Sequence, residues 1–163
     1  MFTSRLNYGA AFLACVGLVV AALYLQHVKG IEPCPLCMLQ RWAIMVIAAL
    51  CLLAAIHAPI ALARRVYGSL VAVVALLGGA IAIRHLWLQS LPAEQAPACG
   101  PGLEYMLEHL PLDRAMKAIL LGSGECAEVL WTFLGLSLPA WTLLAFVALF
   151  AFGLIQAWRS QGI

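Results

Sequence analysis

At 163 residues the chain has the size of one domain, and 65% hydrophobic against 10% charged residues, with a mean hydropathy of +1.01, excludes an ordinary soluble protein. The net charge of +2 says little, and no nucleic-acid partner is expected. Where the charges fall says more: all seven acids (Glu32, Glu94, Glu104, Glu108, Asp113, Glu125, Glu128) lie within residues 27–40 or 85–138.

Uncharged apolar runs occupy Leu6 to Gln26, Trp42 to Ala63, Val66 to Ile83 and Val129 to Trp158. Each is long enough for a bilayer-crossing helix, which takes about 20 residues. Arg5 ahead of the first run resembles the start of a signal peptide, but the run is long and carries no small-x-small cleavage pattern, so a retained helix is expected. Arg64-Arg65 is expected to fill a very short turn between the second and third spans. The last run is too long for one helix; Gly135, Ser137 and Pro139 interrupt it, leaving a span from Ala140 to Trp158 with Pro139 as a favoured first-turn residue.

Within the loop from His85 to Leu138, Leu112, Ala115, Met116, Ile119 and Leu120 repeat at helical spacing, while Asp113, Arg114 and Lys117 take the opposite face. Pro111 starts this helix and Gly122 stops it, so a short amphipathic helix is expected on the membrane surface, or packed on the protein's own loops. The flanking stretches, Leu91 to Gly102 and Gly122 to Gly124, are expected to be mobile connectors. The fold class is thus all-α integral membrane: a four-helix transmembrane bundle with a long outer loop carrying a short amphipathic surface helix. It forms one domain over residues 1–163, with spans at about 9–26, 42–60, 66–84 and 140–158 and outer loops at about 27–40 and 85–138. Gly17, Gly78 and Gly79 suit close contacts between helices.

Six cysteines divide by position. Cys15 and Cys51 lie mid-span and are expected to behave as small, inert hydrophobes. Cys34, Cys37, Cys99 and Cys126 lie in the outer loops. Four cysteines allow three pairings, of which vicinity favours Cys34 with Cys37, leaving Cys99 with Cys126. Cys34-Pro35-Leu36-Cys37 stands where a span begins, and a two-residue gap at a helix N-terminus suits reversible thiol–disulfide exchange. Cys99, in Pro97-Ala98-Cys99-Gly100-Pro101, sits in a loop accessible to a soluble protein.

Arg41 follows Cys37 by four residues, on the same helix face, where it can favour a thiolate, donate hydrogen bonds to a quinone carbonyl, or anchor to headgroups. His85, near the outer end of the third span, is a further candidate at that site, or a boundary histidine. Trp42, Trp87, Trp131 and Trp141 cluster towards the outer boundary, as an interfacial belt does, or as walls beside an aromatic ligand. Basic residues divide four to five between the two sides, but the bias is strongest in short loops. The termini and the Arg64-Arg65 turn are therefore expected to be cytoplasmic and the cysteine loops to face an oxidising compartment such as a bacterial periplasm.

The blocks Pro33-Cys34-Pro35-Leu36-Cys37-Met38-Leu39-Gln40-Arg41, Arg84-His85, Cys99, Leu110-Pro111-Leu112-Asp113 and Gly122-Ser123-Gly124-Glu125-Cys126-Ala127-Glu128 resemble the DsbB family of bacterial disulfide bond formation proteins over essentially the whole chain. The resemblance implies a membrane thiol:quinone oxidoreductase of the inner membrane. A periplasmic DsbA-like thioredoxin-fold partner attacks Cys99 of the Cys99/Cys126 disulfide, the resulting dithiol reduces Cys34/Cys37, and electrons pass to the membrane quinone pool. It also implies Cys34, Cys37, Cys99 and Cys126 as catalytic residues, Cys37, Arg41 and His85 as quinone-binding residues, and no metal. Ubiquinone is favoured and menaquinone possible. Gln40, uncharged, is a small departure from the pattern. Two readings of other classes compete: a metal-binding membrane protein with a four-cysteine site, and a structural four-helix protein stapled by disulfides.

Overall fold

The computed structural model describes residues 2–57, 61–95, 109, 111–122, 124–129 and 131–158. Four long helices dominate: α1 (Phe2–His27), α2 (Pro35–His57), α3 (Ala61–Gln89) and α6 (Leu138–Trp158). Between α3 and α6 come a 3-10 turn at Ala93–Gln95, α4 (Leu112–Leu121), the single turn α5 (Gly124–Ala127) and a two-stranded antiparallel hairpin, β1 (Thr132–Phe133) and β2 (Leu136–Ser137). All four long helices are of spanning length and apolar, with mean hydropathies between 2.1 and 2.3. The chain is a multi-pass, all-α integral membrane protein.

The helices extend beyond their uncharged cores. α2 begins at Pro35 rather than near residue 42, and α3 runs from Ala61 to Gln89 rather than from 66 to 84. Arg64 and Arg65 therefore stand in the first turns of α3 and not in a turn between spans, and Arg41, Arg84 and His85 are helical as well. Long basic side chains keep their charged ends at the boundary while their stems cover apolar surface, so a helix does not have to stop at them.

α3 and α6 pack most intimately, because their small residues let the backbones meet. A Cβ on Gly68 would lie 2.7 Å from Gly153 O and from Ala157 N; one on Gly153 would lie 2.7 Å from Gly68 O and from Ala72 N. Gly78 lies directly under the Phe146 ring. Gly17, by contrast, has open space where a Cβ would go, so it makes no close helix contact in this bundle. Tyr8, Cys15, Ile47, Cys51, Val71 and Phe146 form the bundle interior, with Cys15 and Cys51 fully buried. Large apolar side chains such as Leu13, Leu62, Val73 and Leu76 face outward, as lipid-facing positions require.

Polar contacts fix the two ends. At one end Arg5 Nη2 donates to Ile56 O at 3.2 Å, Tyr8 Oη to Arg64 O at 3.3 Å and Arg64 Nε to Gln156 Oε1 at 3.2 Å, tying the starts of α1 and α3 to the ends of α2 and α6. The opposite end gathers the end of α1, the start of α2, the end of α3 and the start of α6.

α4 spans the amphipathic stretch, with Asp113, Arg114 and Lys117 exposed and Ile119 buried. It is docked on the bundle: Arg84 Nε donates to Leu120 O at 3.4 Å and Nη2 to Leu121 O at 3.0 Å, satisfying carbonyls at the helix C-terminus. Gly122 follows at φ 81°, a conformation costly to any residue with a Cβ, and its Cα faces Leu88. Gly124, placed by the sequence pattern in a connector, is buried at the start of α5.

Candidate functional site

The site is assembled where α2 begins. Cys34 precedes the helix and its carbonyl accepts from Met38 N at 3.1 Å, while Pro35 takes the first helical position, where its missing N–H costs nothing. Cys37 N donates to Cys34 Sγ at 3.4 Å, so an N–H of the first turn, at the positive end of the helix dipole, points at that sulfur. Both residues are thiols here, Cys34 buried and Cys37 half-buried.

The end of α3 brings His85 against them. The imidazole is 2% exposed, with Nε2 3.7 Å from Cys34 Sγ and Nδ1 4.0 Å from Cys37 Sγ. Its Nδ1 is also 3.2 Å from Gln40 Nε2, and Gln40, equally buried, receives the Thr142 hydroxyl from the first turn of α6. Three helices thus contribute to one buried polar line, Thr142–Gln40–His85–Cys34. Thr142 Oγ1 is also 3.0 Å from Pro139 O, giving its hydroxyl a second acceptor.

Arg41 reaches towards the end of α1. Its Nη1 donates to Gln26 Oε1 at 2.7 Å, joining the ends of α1 and α2 beside a cavity of about 340 Å³. Cys34, Cys37, Arg41 and His85 all line this cavity, whose walls are otherwise mostly apolar and come from α1, α2 and α6. That volume and character suit a small amphipathic ring system, since ligand sites run from about 300 to 1,000 Å³. Trp131, Phe133 and Trp141 close one side: the Trp131 and Phe133 rings stack at 5.8 Å and 3°, and Trp141 Nε1 donates to Phe133 O at 3.0 Å. Trp42 and Trp87 instead face outward, with the Arg84 guanidinium 4.2 Å above the Trp87 ring. The outer tryptophans therefore divide between a belt and a wall.

Cys126, on α5, is fully buried in a small cluster with Cys34, Leu36 and Leu88, against which Cys37 and Leu39 also pack. A member of the distant cysteine set is thus held beside the vicinal pair. Cys99 lies outside the described residues, and so does its pairing. Sequence reasoning passed over Thr142 and Gln26 and noted Gln40 only as an uncharged departure from the family pattern. Gln40 carried a signal, being an amide three residues after Cys37 in an apolar helix; Thr142 and Gln26 carried none beyond their place at span ends.

A multi-pass helical membrane protein with a dithiol at the mouth of an apolar cavity is the class that fold and site define. The model of the family described as "Disulfide bond formation protein DsbB" matches residues 4–156, and the chain belongs to that family. Among its relatives is a "Disulfide bond formation protein B" of Marinobacter nauticus, 53% identical over 157 residues, covering 96% of this chain and 94% of the relative. One from Hahella chejuensis is 54% identical over 94% of this chain and 95% of its own. A "Disulfide bond formation protein B 1" of Pseudomonas aeruginosa is 48% identical over 91% of each. Disulfide bond formation is the function this membership supports.

Proposed function

We propose that the chain is a thiol:quinone oxidoreductase of the bacterial inner membrane, with cysteine loops in the periplasm and both termini in the cytoplasm, that reoxidises a periplasmic DsbA-like protein. The observation carrying this reading is that Cys37 lines an apolar cavity beside Arg41 while Cys126 shares a buried cluster with Cys34. The partner's thiolate attacks the Cys99/Cys126 disulfide at Cys99, a mixed disulfide forms, and the partner leaves oxidised with its two thiols joined. The Cys99/Cys126 dithiol then attacks Cys34/Cys37 and becomes a disulfide again, leaving Cys34 and Cys37 reduced.

Reoxidising Cys34/Cys37 removes two electrons and two protons. A quinone in the cavity supplies the lipid-soluble two-electron acceptor, ubiquinone being favoured and menaquinone possible. The residues fit such a group: the walls are apolar, and Arg41 offers a cationic donor for a carbonyl oxygen. With the Gln40 carboxamide turned so that its oxygen accepts from Nδ1–H, His85 Nε2, 3.7 Å from Cys34 Sγ, takes the Cys34 proton as its sulfur closes on Cys37. Trp131 and Trp141 line the same cavity.

The test is reconstitution: the purified chain with a soluble quinone should oxidise a reduced thioredoxin-fold dithiol protein catalytically, and Cys37→Ser should abolish turnover. Activity retained in Cys37→Ser rejects the relay.

A further inference from the structure

We infer that the reduced Cys34/Cys37 pair, together with His85, is a binding site for a soft divalent cation of the zinc class, and that occupancy holds the pair in its reduced form. This goes beyond the relay and does not rest on it, because it needs only the two thiols and the imidazole.

The ligand geometry is the first support. The two sulfurs and a ring nitrogen of His85 lie within 4.8 Å of one another, with Nε2 3.7 Å from Cys34 Sγ. Tetrahedral zinc with bonds of about 2.0–2.3 Å separates its ligand atoms by roughly 3.5–3.8 Å, so small side-chain shifts close the site. Two thiolates and one imidazole are a donor set that zinc favours, and two thiolates cancel the charge of the ion, which a site buried at the lipid boundary requires.

Gln40 supplies the second support. A ligating imidazole ordinarily donates its other N–H to an acceptor that fixes its orientation. With Nε2 facing Cys34, that N–H is at Nδ1, where the Gln40 carboxamide lies at 3.2 Å. Turning the carboxamide oxygen to Nδ1 leaves its nitrogen for Thr142 Oγ1, whose own hydrogen then goes to Pro139 O, 3.0 Å away. The network therefore satisfies either orientation of the amide without an orphaned group.

The cavity rim is the third. Glu32, Glu125 and Glu128 line the same space as Arg41, so carboxylates outnumber the cationic side chain there. An apolar electron acceptor has no use for them, whereas they draw a cation inward. Binding balances without redox change: the ion enters, two thiols lose their protons to water, and no electron moves. Both sulfurs are then committed to the metal, so neither attacks the other nor exchanges with Cys126.

The experiment uses the full chain in detergent with Cys99→Ser and Cys126→Ser, reduced and freed of metal by chelation, and cobalt(II) as the probe. One cobalt per chain should bind with tetrahedral ligand-field bands and thiolate charge-transfer absorption. Zinc should displace it, and prior oxidation of the pair should prevent it. Gln40→Leu should weaken zinc by about tenfold or more, and His85→Ala by more than that. An octahedral or absent cobalt spectrum, or equal affinity in His85→Ala, overturns the inference. Because that variant can misfold, zinc protection of Cys34 and Cys37 against alkylation is measured on the unmutated chain: labelling as fast with zinc as without it overturns the site. Quinone-linked thiol oxidation is assayed separately on metal-free protein, so either reading can fail alone.

Discussion

Gln40 and His85, both 2% exposed, face each other with Nε2 and Nδ1 3.2 Å apart, one near the start of α2 and the other near the end of α3. The amide holds the imidazole against the vicinal thiols. Replacing Gln40 by Leu removes that partner and leaves a buried ring nitrogen unsatisfied, a loss of about 1–3 kcal/mol. Turnover in the reconstituted assay is expected to fall by about tenfold or more, with a smaller loss in Gln40→Glu, whose carboxylate accepts from Nδ1–H. Equal activity in Gln40→Leu would show that His85 orientation does not matter to the reaction.

Arg41 bonds Gln26 and lines the cavity at the same time. A charge-assisted hydrogen bond is worth about 1.5–3 kcal/mol, so Arg41→Leu is expected to raise the apparent quinone KM by about tenfold to a hundredfold with a smaller change in kcat. Gln26→Ala should produce a lesser rise, since it loosens the guanidinium without removing it. An unchanged KM in Arg41→Leu would leave the residue only its tie between α1 and α2.

The α3–α6 contact gives a stability prediction with its own control. Gly153→Ala forces a methyl against backbone atoms 2.7 Å away, so the helices must separate, at about 1–3 kcal/mol or more. Gly17→Ala meets nothing within 4 Å and should change stability by no more than about 0.5 kcal/mol. Thermal unfolding in detergent, followed by loss of helical circular dichroism, compares the two.

Much of this architecture could be read from residues alone, and the limits are physical. Hydropathy located all four spans because lipid exposes long apolar faces, yet it undershot the ends of α2 and α3, where Arg41, Arg64 and Arg84 remain helical. The bounds of α4 followed from Pro111, Gly122 and the spacing of Ile119 with its neighbours. What pairs Cys34 with His85, 51 positions away, or Gln40 with Thr142, 102 away, is helix packing, and no local pattern encodes it. The same holds for the cavity, whose walls come from separate helices.

Gly122 carries a further prediction. Its φ of 81° and its place against Leu88 mean that Gly122→Ala strains the exit from α4, at about 1–2 kcal/mol. The measurable outcome is loss of docking: trypsin should cut faster after the exposed Arg114 and Lys117, with the long helices left intact. Unchanged cleavage would mean that Arg84 alone secures the helix.

Sidedness is open to direct measurement. In intact cells a membrane-impermeant thiol reagent, applied after mild reduction, is expected to label Cys37, half-buried at the cavity, and to spare the fully buried Cys15 and Cys51. Labelling only after the membrane is breached would reverse the orientation.

Arg84 grips the last carbonyls of α4 while its guanidinium rests on Trp87, and Cys126 follows only a few residues further along the chain. That short leash makes an encounter between Cys126 and the vicinal sulfurs a problem of local concentration rather than diffusion: a tethered thiol meets its target as if present at millimolar levels or above. In the proposed relay, hand-over from Cys126 to the vicinal pair should accordingly be independent of protein dilution, and lengthening the leash should slow it.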